Sequence, residues 1–209
     1  MRCAICFVAV FVCFGIWAQE NDPDVEPPHE FYIEIGEKKV DVEAGKAFKL
    51  DVSKEQELVL KQKPDRFFNR CGISFRFPQE YSYDFNNNKP AIWSLKGKQS
   101  IVIIQFYKDE IPEAIFPVFL KSLEVQYKNQ AKTTDVTETL GSTLLSGKSI
   151  EPHLTLSAKI VQSVYPIKLG DNTAILLIQH TQKNNGTLKP ESEALMKLLK
   201  ETFKVEEKK

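Results

Sequence analysis

The sequence predicts an α+β domain: a mainly antiparallel sheet flanked by two principal helices. Three observations carry this expectation. Short apolar stretches, some alternating with polar residues and some continuous, recur from "FYIEI" to "TAILLIQHTQ", with Gly, Asn and Pro between them. Two further stretches place their apolar residues three and four apart, the spacing of one helix face. Most neighbouring strands are joined by fewer than the dozen or so residues that a parallel crossover needs, so they pair as hairpins.

The chain has 209 residues and opens with "MRCAICFVAVFVCFGIWA". One early positive charge, an apolar run and small Ala18 read as a secretory signal peptide over residues 1–18. The run is too short for a spanning helix of roughly 20 residues, and nothing after it is long and apolar enough to span. Export to the periplasm or the extracellular space is therefore expected. Cys3, Cys6 and Cys13 lie in that leader, which leaves Cys71 alone in the mature chain. No internal disulfide can form, and beside the apolar strand that starts at Ile73 the thiol reads as a buried small hydrophobe.

The chain carries 28 Lys plus Arg and 28 Asp plus Glu. This balance argues against nucleic acid as the main partner, because phosphate binding depends on a concentrated positive field. "KQKPDRFFNR" and "KLLKETFKVEEKK" mix acidic with basic residues and read as solvated surface. About 190 mature residues suffice for one core without disulfides.

Residues 19–30, "QENDPDVEPPHE", are acidic and proline-rich and read as a flexible tether. A small β-rich extension is expected over 31–66. In it "FYIEI" places Phe31, Ile33 and Ile35 on one face, "GEKK" turns, "VDV" resumes the period of two, and "FKLDV" and "ELVLKQK" add short strands. The main domain spans 67–205, followed by a charged tail at 206–209. Ile73, Phe75 and Phe77 alternate with Ser74 and Arg76 until Pro78 ends the strand. "NNNKP" is a loop, "AIWSL" a strand, "KGK" a turn, and "SIVIIQFY" a strand whose continuous apolar character requires cover on both faces. Helices supply that cover. In "PEAIFPVFLKSLEVQYKNQ", Phe116, Phe119, Leu120, Leu123 and Tyr127 form one stripe; Pro112 suits the start, and Pro117 marks a later start or a bend. "TDVTETL", "STLLSGKSI", "LTLSAKIVQSVYPIKL" and "TAILLIQHTQ" read as strands joined mainly by "SGKSIEPH" and "LGDN". The last helix, "ESEALMKLLKETFK", aligns Leu195, Leu198, Leu199 and Phe203, with Glu191 and Glu193 near its positive end and Lys200 and Lys204 near its negative end.

The succession "GISFRFPQEY", the aromatic stretch "SYDFNNNKPAIWSLKG", the strand "SIVIIQFY", the helix through Phe119 and Tyr127, and the ending "TAILLIQHTQ" then "ESEALMKLLKETFK" resembles the PsbP-like (Mog1/PsbP-like) family over about residues 72–204. The resemblance implies a three-layer α/β/α sandwich around the antiparallel sheet, with the N-terminal β-hairpin as an addition. Family members include extrinsic subunits of the oxygen-evolving machinery, binders of a small nuclear GTPase, and exported bacterial proteins. The leader argues against the GTPase-binding branch and is unlike a plastid transit peptide. The resemblance carries over no catalytic residue and no cofactor.

Phe75, Phe77 and Phe106 read as core. Tyr81, Tyr83, Phe85 and Trp93 surround the asparagine-rich loop, where each ring either covers the sheet edge or anchors a partner. His29, His153 and His180 stand 124 and 27 residues apart and form no zinc motif, so a metal site would need His153 or His180 to meet Asp109, Glu110 or Asp171 through folding. Ser146-Gly147 and Gly141-Ser142 lack a nucleophile-elbow context, and Gly36, Gly97 and Gly170 read as hairpin glycines. "NNGT" offers an acceptor pattern at Asn185 and implies an exposed loop. The expected function is a noncatalytic exported binding or accessory protein that meets another exported or envelope protein, without a cofactor. An exported enzyme or metal-dependent protein with a site assembled from distant residues is the alternative.

Overall fold

The computed structural model describes residues 23–43, 46–47, 57–128, 130–153 and 159–206. The leader at 1–18, the strand expected in "FKLDV" and the tail from 207 lie outside them. The fold is mixed α+β, with two helices and a mainly antiparallel sheet that does not close into a barrel.

A three-stranded sheet comes first. Strand β1 (Phe31–Ile35) pairs antiparallel with β2 (Lys38–Val42) and with β3 (Leu58–Gln62). Gly36, at φ +56°, permits the tight turn between β1 and β2.

Next come β4 (Asp65–Arg70) and β5 (Ile73–Pro78), a hairpin that takes β13 (Lys204–Val205) onto the far side of β5. The mixed charge of "KQKPDRFFNR" does not mark β4 as a strand. The two-residue turn of this hairpin is Cys71-Gly72, and both have positive φ, +47° and +80°, as a type I′ hairpin requires.

The principal sheet runs β6 (Ser82–Asn86), β7 (Ala91–Lys96), β8 (Ser100–Tyr107), β12 (Asn172–Gln182), β11 (Lys159–Leu169), β10 (Thr143–Pro152), β9 (Ala131–Leu140), every pair antiparallel. Strand β10 passes straight through "SGKSI", where the sequence predicts a turn. Gly147 stands in mid-strand because a Cβ there would collide with the Val164 carbonyl of β11. The turn lies earlier, at Gly141-Ser142, where Gly141 has φ +54° and its open side is filled by the Phe203 backbone.

Each face of this sheet is covered. Helix α1 (Pro112–Gln126) begins with Pro112, whose missing N–H is no loss in a first turn, and continues through Pro117. Its Phe119 and Leu123, four apart, pack with Ile150, Val164, Ile175 and Leu177. Helix α2 (Pro190–Thr202) buries Ser192, Leu195, Met196 and Leu199 on the opposite face, beside the β4–β5–β13 sheet. The helix ends sooner than the apolar spacing predicts: Phe203 leaves it to become fully buried, and Lys204 joins β13. The larger core, with Phe68, Phe75, Phe77, Leu95, Ile104 and Phe203 among its members, lies on this side. Each such side chain contributes roughly 1.5–3 kcal/mol through removal from water.

Candidate binding surface

The aromatic stretch after Pro78 is a hairpin, with a strand, not expected from the sequence, before the asparagine-rich loop. "SYDFN" forms β6, where Ser82, Asp84 and Asn86 face solvent while Tyr83 and Phe85 are half-buried. The period of two that marks this strand is present in the sequence, but the Asn and Asp content reads as turn chemistry. Register sets Tyr83 opposite Leu95 and Phe85 opposite Trp93, so both rings lean toward the larger core. The Phe85 and Trp93 rings lie 5.0 Å apart at 32°, and Phe68 meets Trp93 edge-on at 6.3 Å.

The four candidate aromatics therefore differ in access. Tyr81 is 1% exposed and Trp93 5% exposed, whereas Tyr83 and Phe85 keep part of each ring in solvent. Phe75 and Phe77 are fully buried, and Phe106 packs partly buried against the same core. Beyond Phe85 the polar tip of residues 86–89 is exposed. Asn86 orders it by accepting the Asn88 N–H at 3.0 Å, and the Lys89-Pro90 bond is cis.

Two arginines complete this surface. "KQKPDRFFNR" was expected to be solvated, yet Arg66 is only 2% exposed. Strand alternation explains this: Arg66, Phe68 and Arg70 share the inward face of β4, while Phe67 and Asn69 face out. The Arg66 guanidinium lies 4.9 Å from the centre of the Phe77 ring and donates to the Tyr81 carbonyl. It also pairs with Glu26 and donates to the Pro27 carbonyl at 3.5 Å. Nearby, Arg70 donates to the Val25 carbonyl at 3.1 Å, and the Tyr83 hydroxyl donates to the Pro23 carbonyl at 2.5 Å. Burial raises the Tyr83 pKa, against the opposing pull of Arg70, so the hydroxyl stays a donor. Residues 23–30, read as a tether, thus make a series of contacts with β4 and β6.

Neither a protein-family model nor a curated protein matches this chain.

The candidate metal-binding residues are distributed between the two ends of the sheet. Asp109, Glu110 and Asp171 gather at one end, where Asn172 accepts the Asp109 N–H at 3.0 Å and Thr173 donates to the Glu110 carbonyl at 2.6 Å. His180 stands eight residues along β12 from Asn172, about 27 Å at the usual strand rise, opposite Ser100. His153 is exposed after β10, its N–H bonded to the Gln130 carbonyl at 2.9 Å, and His29 is exposed in the N-terminal segment. Among the described residues no group of three or more His, Cys, Asp or Glu is placed to hold a metal ion. No described helix is long and apolar enough to cross a membrane.

The remaining singled-out residues have plain positions. Cys71 sits half-buried in its hairpin turn, and desolvation raises its pKa to about 12, which disfavours the nucleophilic thiolate. Ser146 is exposed on β10 and hydrogen bonds with Thr137 at 3.4 Å. Asn185 is exposed in a turn, where its side-chain oxygen accepts the Thr187 hydroxyl at 2.8 Å.

Proposed function

We propose that this chain is an exported, noncatalytic binding or accessory protein with a PsbP-like three-layer α/β/α core, acting on another exported or envelope protein. The leader-like N-terminus and the PsbP-like order of elements motivate the export and family parts of this reading. The single observation that carries the binding part is the half-exposed Tyr83–Phe85 edge beside the polar tip at 86–89. Aromatic rings that are rigidly backed and partly wet are common anchors of protein interfaces. In this reading Tyr83 and Phe85 touch the partner, while Tyr81 and Trp93 hold them from behind.

The test separates contact from support. Phe85→Ala should weaken partner capture at least about tenfold and leave the melting temperature within a few degrees. Trp93→Ala should instead lower stability by about 3–5 kcal/mol through a core cavity. The capture is done from the native exported fraction, with crosslinks read at Lys89 and Lys96. Unchanged capture by Phe85→Ala would remove this edge from the contact surface.

A further inference from the structure

Residues 23–30 lie across β4 and β6, which are edge strands of two different sheets. Their contacts have a repeating form. Pro23, Val25 and Pro27 offer their carbonyls to Tyr83, Arg70 and Arg66, one residue of each pair being skipped. The same alternation holds for burial: Pro27 is buried and Pro23 and Val25 are half-buried, while Asp24, Glu26 and Pro28 are exposed. Glu26 adds a carboxylate on the Arg66 guanidinium. Strand pairing plays no part, since none of these residues belongs to a strand.

Such an arrangement fixes what the groove accepts. Three side-chain donors reading alternate main-chain carbonyls require an irregular or extended segment, and they are indifferent to most side chains. Two selective features remain: a carboxylate for Arg66 and a small apolar ring in the place of Pro27. Proline costs nothing here, because only carbonyls and no backbone N–H of Pro23, Val25 and Pro27 are used in these bonds. Arg66 is 2% exposed with the segment in place, and Glu26 supplies its carboxylate, so a segment that displaces residues 23–30 must bring an anion of its own to match that contact.

We infer that the β4–β6 groove, built from Arg66, Arg70 and Tyr83, is a receptor for an acidic, proline-containing segment of a partner protein, and that residues 23–30 are its tethered, displaceable occupant. This rests on the binding reading above and names the partner's chemistry. Tethering gives the resident segment a high effective concentration, so it sets a threshold that an incoming segment must exceed. Loosening the resident segment lowers that threshold.

The experiment uses the full chain and a fluorescein-labelled peptide with the sequence of residues 21–30, read by anisotropy. The chain carrying Asp24→Ala and Glu26→Ala should bind the peptide about tenfold or more tightly than the unaltered chain, because its own segment competes less. Adding Arg70→Gln to that variant should reverse the gain with the melting temperature retained, which avoids relying on buried Arg66. A peptide with both prolines of "PDVEP" replaced by alanine should also bind more weakly. Equal affinity for the altered and unaltered chains, or binding indifferent to Arg70→Gln, overturns the proposal. Sedimentation addresses the other occupant: a concentration-dependent dimer of the unaltered chain that disappears with Asp24→Ala and Glu26→Ala assigns the groove to a second copy and overturns the partner assignment. Partner crosslinks at Lys89 and Lys96 that survive Arg70→Gln, together with failed peptide binding, would leave the general binding role intact while removing this one.

Discussion

His180 lies on β12 with 8% of its surface exposed, and its Nδ1 has no hydrogen-bond partner among the described residues. Burial penalises the imidazolium and lowers the pKa below its usual 6.5, with Glu138 pulling weakly the other way. The unfolded chain then binds the proton more readily than the folded one. Stability from this residue is fully present above about pH 6.5 and is lost as pH falls toward the folded pKa. We predict that His180→Gln flattens the fall in unfolding free energy between about pH 7.5 and 5.5. Equal slopes for the two proteins would show that His180 is not the titrating group. Cys71 illustrates the same desolvation with a different result: the one thiol outside the expected leader is kept protonated and unreactive in its turn.

Among the elements, α2 and the β7–β8 turn are tied by Glu191 and Ser192 of the first helical turn. Glu191, in the first turn of the helix, accepts the Lys98 N–H at 3.1 Å and the Gln99 N–H at 3.0 Å. Gly97 is required beside it, because a Cβ would strike both the Glu191 carboxylate and the Tyr81 ring. Ser192 follows, fully buried and bonded to Ser100 at 2.8 Å. Glu191→Ala should therefore cost about 1.5–3 kcal/mol in chemical denaturation and speed hydrogen exchange at Lys98 and Gln99. A variant as stable as the parent would mean that the turn holds itself. Most elements are legible because their signals are local: the spacing of Leu195, Leu198 and Leu199 in α2, and the alternation Ile73, Phe75, Phe77 in β5. The errors arose where a residue's role depends on a neighbour far away in sequence. Gly147 reads as a turn until Val164 is placed against it, and the Asn and Asp of β6 mask a strand whose pairing with β7 decides the matter. Of the candidate surface, the four aromatics were visible in the sequence. The arginines were not, since nothing in "DRFFNR" reveals that residues 23–27 lie over them.

For the whole molecule, the connection between the first sheet and the rest is ionic. Glu30 pairs with Lys63 at 3.1 Å and with Arg76 at 3.0 Å, Lys63 also meets Asp41 at 2.9 Å, and Arg76 meets Asp65 at 2.5 Å. Burial alone would lower the Arg76 pKa, and the two carboxylates outweigh it. Leu58 and Leu60 of β3 are 48% and 63% exposed, so these two side chains do little to fasten this sheet. We predict that Glu30→Ala, or salt near 1 M where charges are screened within about 3 Å, increases proteolytic cleavage within 31–62 and leaves protection of β8 and β12 unchanged. Loss of protection in both regions together would show a single cooperative unit instead.

The order of strands in the principal sheet also governs how the chain acquires its shape. Strands β6, β7 and β8 form one meander and β9 to β12 another, and the two meet only where β8 pairs with β12. That junction closes a loop from Tyr107 to Thr173, so it costs more chain entropy than any hairpin within either meander. During synthesis the first meander is complete long before its partner strand has emerged. Until then the apolar edge of β8 is an open template, and it is in this interval that a newly made chain is most vulnerable to pairing with another.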